Sequence, residues 1–271
     1  MVQTGKEPYI LRDMYAVLLI GDEVLSAQVR DENMYIVLHR LRAAGYAAGE
    51  VRVVPDSSDA ISHALGELAG RYEFVITAGG IGPTHDDITV EAVAAAFGVE
   101  LTTNAEMLAF LEHRYGTPLT PMVSRMAQLP PGTTVAGCRD GHWPVISFRN
   151  VYILPGLPRA LREKVNRIAE ALPPREPPWS GALYLNADES VFTDDLNRLQ
   201  AGYPGVTVGS YPVYGSYGYR SRVTVKGSDR QAVQTAWNGL RAYTLDHNLL
   251  IREDPPDQES HEPANEGQTD E

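Results

Sequence analysis

Apolar runs alternate with helix-type patterns along the first two-thirds of the chain. Residues 15–20, 51–54 and 74–76 are short apolar runs, which predict buried strands. Between them, residues 33–44 and 58–69 carry apolar side chains at helical spacing. Strands that alternate with helices form parallel sheets through right-handed crossovers. The pattern therefore predicts an α/β fold, with a three-layer, mostly parallel sheet and helices on both faces.

The same alternation continues to the first proline cluster. Helical patterns follow at residues 88–97, 105–115, 121–128 and 158–172. Two apolar strands, 145–148 and 151–154, flank Arg149 and Asn150. Because only two residues separate these strands, a β-hairpin is expected there.

A run of prolines marks a change in the pattern. Four prolines fall between residues 173 and 178, and the order beyond them reads strand, helix, strand, strand, helix. This order predicts a small C-terminal α+β domain. The predicted parts are an N-terminal arm 1–14, an α/β domain 15–172, a proline-rich linker 173–180, the small domain 181–250 and a disordered acidic tail 251–271.

Charge is concentrated at the C-terminal end. The 271-residue chain has a net charge of −12, and the segment from Arg252 onward holds eight acidic residues against that single arginine. Such a composition predicts disorder for the tail. No basic patch is visible in the sequence, so a nucleic-acid partner is not expected.

Cysteine content and hydropathy limit the kinds of site and the cellular location that the sequence allows. The single cysteine, Cys138, excludes an internal disulfide and a cysteine-rich metal site. No window approaches the ~20 apolar residues of a membrane span, and residues 1–14 show no signal-peptide core. We expect a cytoplasmic protein without a membrane partner.

The glycine-rich segment 77–87 carries the main chemical signal. It places Thr77, Gly79, Gly80, Gly82 and Thr84 between a predicted strand and a predicted helix. Free backbone N–H groups and the helix dipole make such a turn a site for anions. A structural alternative is a tight turn without a ligand, in which Thr84 or the aspartate at position 87 caps the helix.

Acidic residues accompany this loop. Asp86 and Asp87 would repel a phosphate unless a cation bridged them, which suggests an oxygen-liganded, Mg²⁺-like metal. Further acids follow the two preceding strands, at Asp22, Glu23 and Asp56. Ligands of open α/β sheets bind outside the carboxyl ends of the strands, so these acids are expected to meet.

A tyrosine-rich turn lies in the small domain. Residues 211–219 contain four tyrosines and are followed by Arg220 and Arg222. Half-buried rings in an ordinary turn are one interpretation. The other is a surface on which an adenine or isoalloxazine ring stacks, with the arginines near a phosphate.

Two long motifs resemble those of the MoaB/Mog (molybdopterin-binding) superfamily. Residues 21–33 are similar to a motif of the branch that contains the N-terminal parts of competence-damage-inducible protein A and of eukaryotic FAD synthase. Residues 77–87 are similar to its glycine-loop signature, with Ala78 at a usual glycine position. The departures Ala27 and Glu32 lie in the first motif and bear on the substrate more than on the fold.

The resemblance implies a function and roles for residues. Relatives are linked to metal-dependent hydrolysis of the pyrophosphate in ADP-ribose or FAD, or to binding of molybdopterin. The deamidase and adenylyl-transferring domains of the larger relatives are not expected here. Relatives form homo-oligomers, and the same is expected of this chain.

On this basis the expected site has three parts. Asp22, Asp86 and Asp87 would hold a divalent metal (Mg, Mn or Co), and Asp56 or Glu23 would orient or deprotonate water. A phosphate of the ligand would meet the glycine N–H groups together with the hydroxyl groups of three threonines, which are Thr77, Thr84 and Thr89. The alternative is a binding protein for molybdopterin or a nucleotide, without hydrolysis. A purely structural subunit is a third possibility.

Overall fold

The computed structural model describes residues 11–137, 142–215 and 217–258. The chain divides into two compact units, the first ending at Pro173 and the second beginning at Pro174. The first unit runs, in chain order, β1 (Leu11–Ile20), α1 (Asp22–Leu25), α2 (Asn33–Ala43), β2 (Ala47–Val54), α3 (Ser58–Arg71), β3 (Tyr72–Ala78), α4 (Thr89–Ala96), β4 (Thr102–Thr103), α5 (Ala105–Tyr115), α6 (Pro121–Arg125), β5 (Gln128–Leu129), β6 (Thr134–Ala136), β7 (Val145–Phe148), β8 (Val151–Leu154) and α7 (Pro158–Ala171).

The main sheet of this unit has six strands, in the order β2-β1-β3-β8-β7-β6. Strands β2, β1, β3 and β8 run parallel, β7 pairs antiparallel with β8, and β6 pairs antiparallel with β7. Leu19 of β1 lies opposite Val53 of β2 and Ala78 of β3. Because these parallel strands end level with one another, the turns that follow them meet at one edge of the sheet.

Strand β1 is buried on both faces, as expected for the centre of a parallel sheet. Tyr15, Val17 and Leu19 pack with α2 and α7 on one side. The alternate residues, which include Leu18, pack with α3, α4 and α5 on the other. The two apolar cores lie on opposite faces of one sheet, between the sheet and its helices. This arrangement confirms the predicted three-layer, mostly parallel architecture.

The second unit is a separate α+β fold. In chain order it contains β9 (Trp179–Leu185), a 3-10 turn (Glu189–Val191), α8 (Thr193–Gly202), β10 (Val206–Pro212), β11 (Ser221–Gly227), α9 (Arg230–Asp246) and β12 (Leu250–Asp257). Its antiparallel sheet has the order β10-β11-β9-β12. One face packs on α8 and α9 through a single apolar core that includes Leu183, Val223 and Trp237. The predicted small α+β domain is confirmed.

Several element boundaries differ from the predicted ones. Strand β1 begins at Leu11, inside the predicted arm, because Leu11 pairs with Tyr72 of β3. Strand β12 takes up the beginning of the predicted tail, since the acidic residues there pair with β9. Helix α6 stops at Arg125 because Gln128 and Leu129 pair with β4 instead.

Some predictions fall outside the described residues. These are the arm up to residue 10, Cys138 and the tail from residue 259. No helix within the described ranges combines the length and the apolar character needed to cross a lipid bilayer.

Candidate functional site

The glycine loop between β3 and α4 is pinned at its start. Gly79 has φ +117°, and a side chain there would collide with the backbone carbonyl of Ile20 at the end of β1. The Gly79 N–H donates to the carbonyl oxygen of Leu154 on β8 at 3.1 Å. The loop therefore begins wedged between two strands, and this N–H is not available to a ligand. That corrects the prediction for Gly79 as a phosphate donor.

Two threonines hold the loop from beneath. Thr89 is fully buried, and its hydroxyl donates to the carbonyl oxygen of Gly79 at 2.9 Å while its N–H donates to that of Gly80 at 3.0 Å. Thr77 is also fully buried and donates to the carbonyl oxygen of Tyr152 at 3.4 Å. Both side chains shape the loop, so their predicted role as direct phosphate ligands is replaced by a structural one.

The second half of the loop folds around the Asp87 carboxylate. The backbone N–H of Thr84 donates to Asp87 Oδ2 at 2.7 Å, and the Thr84 hydroxyl donates to the same oxygen. A side chain at Gly82 would approach that oxygen to 2.7 Å, so only glycine fits without rearrangement. The N-cap of α4 is Ile88, without a side-chain hydrogen bond. Asp87 thus closes its own turn and does not cap the helix.

Arg125 braces this turn from α6. Its guanidinium donates to the backbone carbonyl of Asp87 and, at 2.8 Å, to Glu91 Oε1 on α4. The N–H groups of Gly80 and Gly82 donate to no acceptor within the described part of the chain. These two groups are among the donors that the loop offers to an anion.

The acidic turns after β1 and β2 are joined directly. The backbone N–H of Asp22 donates to Asp56 Oδ2 at 2.9 Å. A cavity of about 260 Å³ opens beside them at the strand ends. Of the predicted site residues, it is lined by Glu23, Asp56, Gly79, Gly80, Asp86 and Asp87.

Other predicted residues lie near the cavity without lining it. Asp22 is exposed, and its backbone N–H, not its carboxylate, bonds to Asp56. Thr84 donates to the Asp87 carboxylate, and Gly82 leaves room for it. Of the three predicted metal ligands, only Asp86 and Asp87 line the cavity, and the Asp22 side chain does not.

The acids in the cavity differ in their electrostatics. Burial raises the pKa of Asp56, and repulsion from Glu23, Asp22 and Asp86 adds to this, against the opposing hydrogen bond from the Asp22 N–H. Hydrogen bonding by the Thr84 side chain lowers the pKa of Asp86. The Thr84 hydroxyl has one proton, so it serves Asp86 and Asp87 one at a time. At this one cavity the pKa of Asp56 is thus raised and the pKa of Asp86 is lowered.

Among the cavity-lining residues that were not predicted as site residues are Asp31, Asn33 and Gly156. Asp31 accepts hydrogen bonds from the N–H groups of Asn33 and Met34 at 3.2 and 3.0 Å. The Asn33 amide donates to the carbonyl oxygen of Gly156 at 2.7 Å. Asn33 Oδ1 is buried without a hydrogen-bond partner among the described residues. The sequence did contain a signal for two of them, because Asp31 and Asn33 end the first motif. Only the fold shows that they reach the cavity.

Carboxylate oxygens are suitable ligands for Mg²⁺-type ions. No group of three or more histidine, cysteine, aspartate or glutamate side chains is arranged to hold a metal within the described ranges. Mg²⁺ is commonly bound by one or two carboxylates together with substrate phosphates. The side chains therefore fit a metal that protein and ligand hold jointly, and not a preformed protein cage.

Two family models match the chain in succession. Residues 16–174 match the family described as "Probable molybdopterin binding domain". The chain belongs to this family. Residues 177–252 match the model described as "FAD synthase, middle domain". The recognition of a MoaB/Mog-type domain from the two sequence motifs is confirmed.

Two similar proteins are longer than this chain. A "Probable FAD synthase" of Caenorhabditis elegans is 27% identical over 91% of this chain and 52% of its own length. A "CinA-like protein" of Citrifermentans bemidjiense is 40% identical over 71% of this chain and 43% of its own. The chain thus spans about half the length of these curated relatives.

A solved structure shows the same fold. The crystal structure of the protein CinA from Thermoplasma acidophilum, described as having unknown function, aligns with a TM-score of 0.55 and 28% identity. It covers 59% of this chain and 98% of that chain. This similarity supports the fold of a molybdopterin binding domain and carries no activity by itself.

Proposed function

We propose that this chain hydrolyses the pyrophosphate bond of an ADP-containing dinucleotide, ADP-ribose or FAD, with a divalent metal. One observation carries the proposal. A single cavity at the strand ends joins the free N–H group of Gly80 in the glycine loop to a pair of carboxyl groups with opposite pKa shifts. Hydrolysis needs an anion cradle, a charge-neutralising group and a base in one place.

The side chains divide these tasks. The N–H group of Gly80 would receive a phosphate oxygen, and Asp86 and Asp87 would hold the metal. When bound, the metal supplies polarisation of the phosphoryl oxygen and acidification of a water. Asp56 would accept the proton of the attacking water, because a raised pKa brings a carboxylate closer to the strength a base needs near neutral pH. Glu23 would orient that water.

The reaction is balanced without a further reagent. The water oxygen forms a bond to one phosphorus, and the bond from that phosphorus to the bridging oxygen breaks. The proton passes to Asp56, and AMP and a second phosphate monoester leave. The likeness to proteins named FAD synthase is consistent with a ligand of this kind.

Binding of molybdopterin or a nucleotide without hydrolysis is the second candidate. The match to a molybdopterin binding domain favours it, as does the absence of a metal-holding group of three among the described side chains. Both candidates use the same cavity.

Self-association, which the resemblance implies, stays a prediction that light scattering can test against the chain mass of 29.7 kDa.

The decisive experiment follows AMP release from FAD, ADP-ribose and NAD, each with and without Mg²⁺, Mn²⁺ or Co²⁺. We expect metal-dependent release by the wild type and a loss of at least about 100-fold in Asp87→Ala and Asp56→Asn. The matched control is Asp59→Ala, an exposed acid on α3 that does not line the cavity.

Two results would contradict hydrolysis. One is the absence of AMP under every metal, and the other is full activity in Asp87→Ala. If AMP is absent but molybdopterin binds the wild type and not Asn33→Ala, the binding candidate replaces the enzymatic one.

A further inference from the structure

The second unit carries a row of alternating tyrosines and arginines across its sheet. Tyr211 of β10 pairs with Arg222 of β11, Arg222 pairs with Tyr184 of β9, and Tyr184 pairs with Arg252 of β12. Residues directly opposite each other in an antiparallel ladder point to the same face. We call these four side chains the tyrosine–arginine row. Their neighbours Leu183 and Val223 point to the other face, which packs on the helices.

The row holds more positive than negative charge. The guanidinium carbons of Arg252 and Arg222 lie 3.8 and 5.7 Å from the centre of the Tyr184 ring. Tyr184 donates its hydroxyl proton to Asp254 Oδ2 at 2.7 Å, and the same oxygen lies 4.0 Å from Arg252. One carboxylate therefore contacts both the Tyr184 hydroxyl and Arg252.

Arg222 is the cation left without a counter-charge. It makes no ion pair with any residue in the described ranges, and its Nε is buried without a hydrogen-bond acceptor. A bound anion that contacts the terminal N–H groups of Arg222 would supply the counter-charge that this guanidinium lacks. A planar guanidinium beside an aromatic ring is well suited to a phosphate, which it contacts through paired N–H groups.

Aromatic surface is accessible beside this cation. Tyr211 is 50% exposed and Tyr217 is 41% exposed, whereas Tyr184 is 5% exposed. Tyr219 packs edge-on against Tyr184 with ring centres 4.9 Å apart. Packing therefore accounts for Tyr184 and Tyr219, whereas the half-exposed ring of Tyr211 is accessible to a ligand.

We propose that the tyrosine–arginine row binds a mononucleotide. Its phosphate contacts Arg222, with Arg252 supporting the charge, and its base stacks on Tyr211. The site lies within the second unit and is independent of the hydrolysis proposed for the strand-end cavity. A single nucleotide is favoured over nucleic acid because the chain has a net charge of −12, which would repel a polyanion.

The test is calorimetric titration of the full chain with AMP in the absence of divalent metal. Variants Arg222→Gln and Tyr211→Ala are compared with the control Arg198→Gln, an arginine on α8 that already pairs with Asp195 at 3.0 Å. We expect the affinity for AMP to fall at least about fivefold in both row variants and to stay unchanged in the control. Adenosine and inorganic phosphate should each bind more weakly than AMP.

Tyr211→Ala keeps the test meaningful if Arg222→Gln folds poorly, because Tyr211 is exposed on an edge strand. AMP release by the strand-end cavity should be the same in all three variants. An equal affinity for AMP in the wild type and both row variants would overturn the proposal. So would loss of AMP binding in Asp87→Ala alone, or tighter binding of single-stranded RNA than of AMP.

Discussion

Asp56 is the side chain at which folding and function are expected to conflict. Its pKa is raised in the folded protein above the ordinary value of 3.8. The folded chain then binds more protons than the unfolded chain in the window just above that value. Stability therefore falls as the pH rises through the window, and the ionised carboxylate is unfavourable at neutral pH.

We predict that Asp56→Asn lowers activity by at least about 100-fold while the melting temperature at pH 7 stays equal or rises. Asparagine keeps an oxygen that can accept the Asp22 N–H, and it removes the repulsion from the neighbouring acids. Thermal melts from pH 4 to pH 8 check this, since the gain over wild type should grow with pH. A lower melting temperature throughout would show that the carboxylate is needed for folding.

Thr89 shows how a buried hydroxyl supports the loop. In Thr89→Val the carbonyl oxygen of Gly79 loses its donor inside the protein, which should cost about 1–3 kcal/mol of unfolding free energy. Urea denaturation measures this cost. Thr235→Val is the control, because that hydroxyl donates to a carbonyl on an exposed helix face and should change stability by less than about 0.5 kcal/mol. Equal costs in the two variants would contradict the assignment.

At the scale of elements, strands with uninterrupted apolar runs were predicted best. Strands β7 and β8 have the predicted bounds, since both are short, apolar and separated by a two-residue turn. Strand β12 was missed because its sequence is acidic and contains two prolines. It is stabilised by pairing with β9 and by the bond from Tyr184 to Asp254, which no local pattern reveals.

A truncation tests the contribution of β12. A chain that ends at Asn248 loses β12, so β9 becomes an edge strand and Tyr184 loses its acceptor. We expect the second unit to unfold at a clearly lower temperature or to remain unfolded. A chain that ends at Gln258 keeps β12 and should melt like the full chain. Hydrogen exchange of the β9 amides reports the difference, and equal protection in both truncations would count against this role.

At the scale of the whole molecule, each unit has an apolar core of its own. We therefore predict two transitions in differential scanning calorimetry. AMP without metal should raise only the transition of the second unit. ADP-ribose with Mg²⁺, added to Asp56→Asn so that turnover is slow, should raise that of the first.

A ligand at 100 times its dissociation constant adds about 2.7 kcal/mol to the unit that binds it. Variants with a defect in one unit show which transition belongs to which unit. Thr89→Val should lower the melting temperature of the first unit, and the chain that ends at Asn248 should lower that of the second. A single transition that both ligands raise together would contradict independent units.

The sequence alone determined the family, the α/β order of the first unit and the placement of acids and glycines after β1, β2 and β3. These features depend on local patterns and on long motifs that survive without structural context. The tertiary structure decided which of these groups face a ligand. Parallel pairing brings Asp56 beside Asp22 and brings Asp31, Asn33 and Gly156 to the same cavity, whereas packing buries Thr77 and Thr89.

The tyrosine–arginine row shows the same division. Tyr211 and Arg222 lie on consecutive strands, but Tyr184 and Arg252 are distant from them in the chain, so the sequence does not indicate that all four are neighbours. Only the register of β10, β11, β9 and β12 aligns them on one face and leaves Arg222 without a counter-charge. Residue types are set by the sequence, but contacts between distant strands depend on pairing and burial, which are properties of the folded chain.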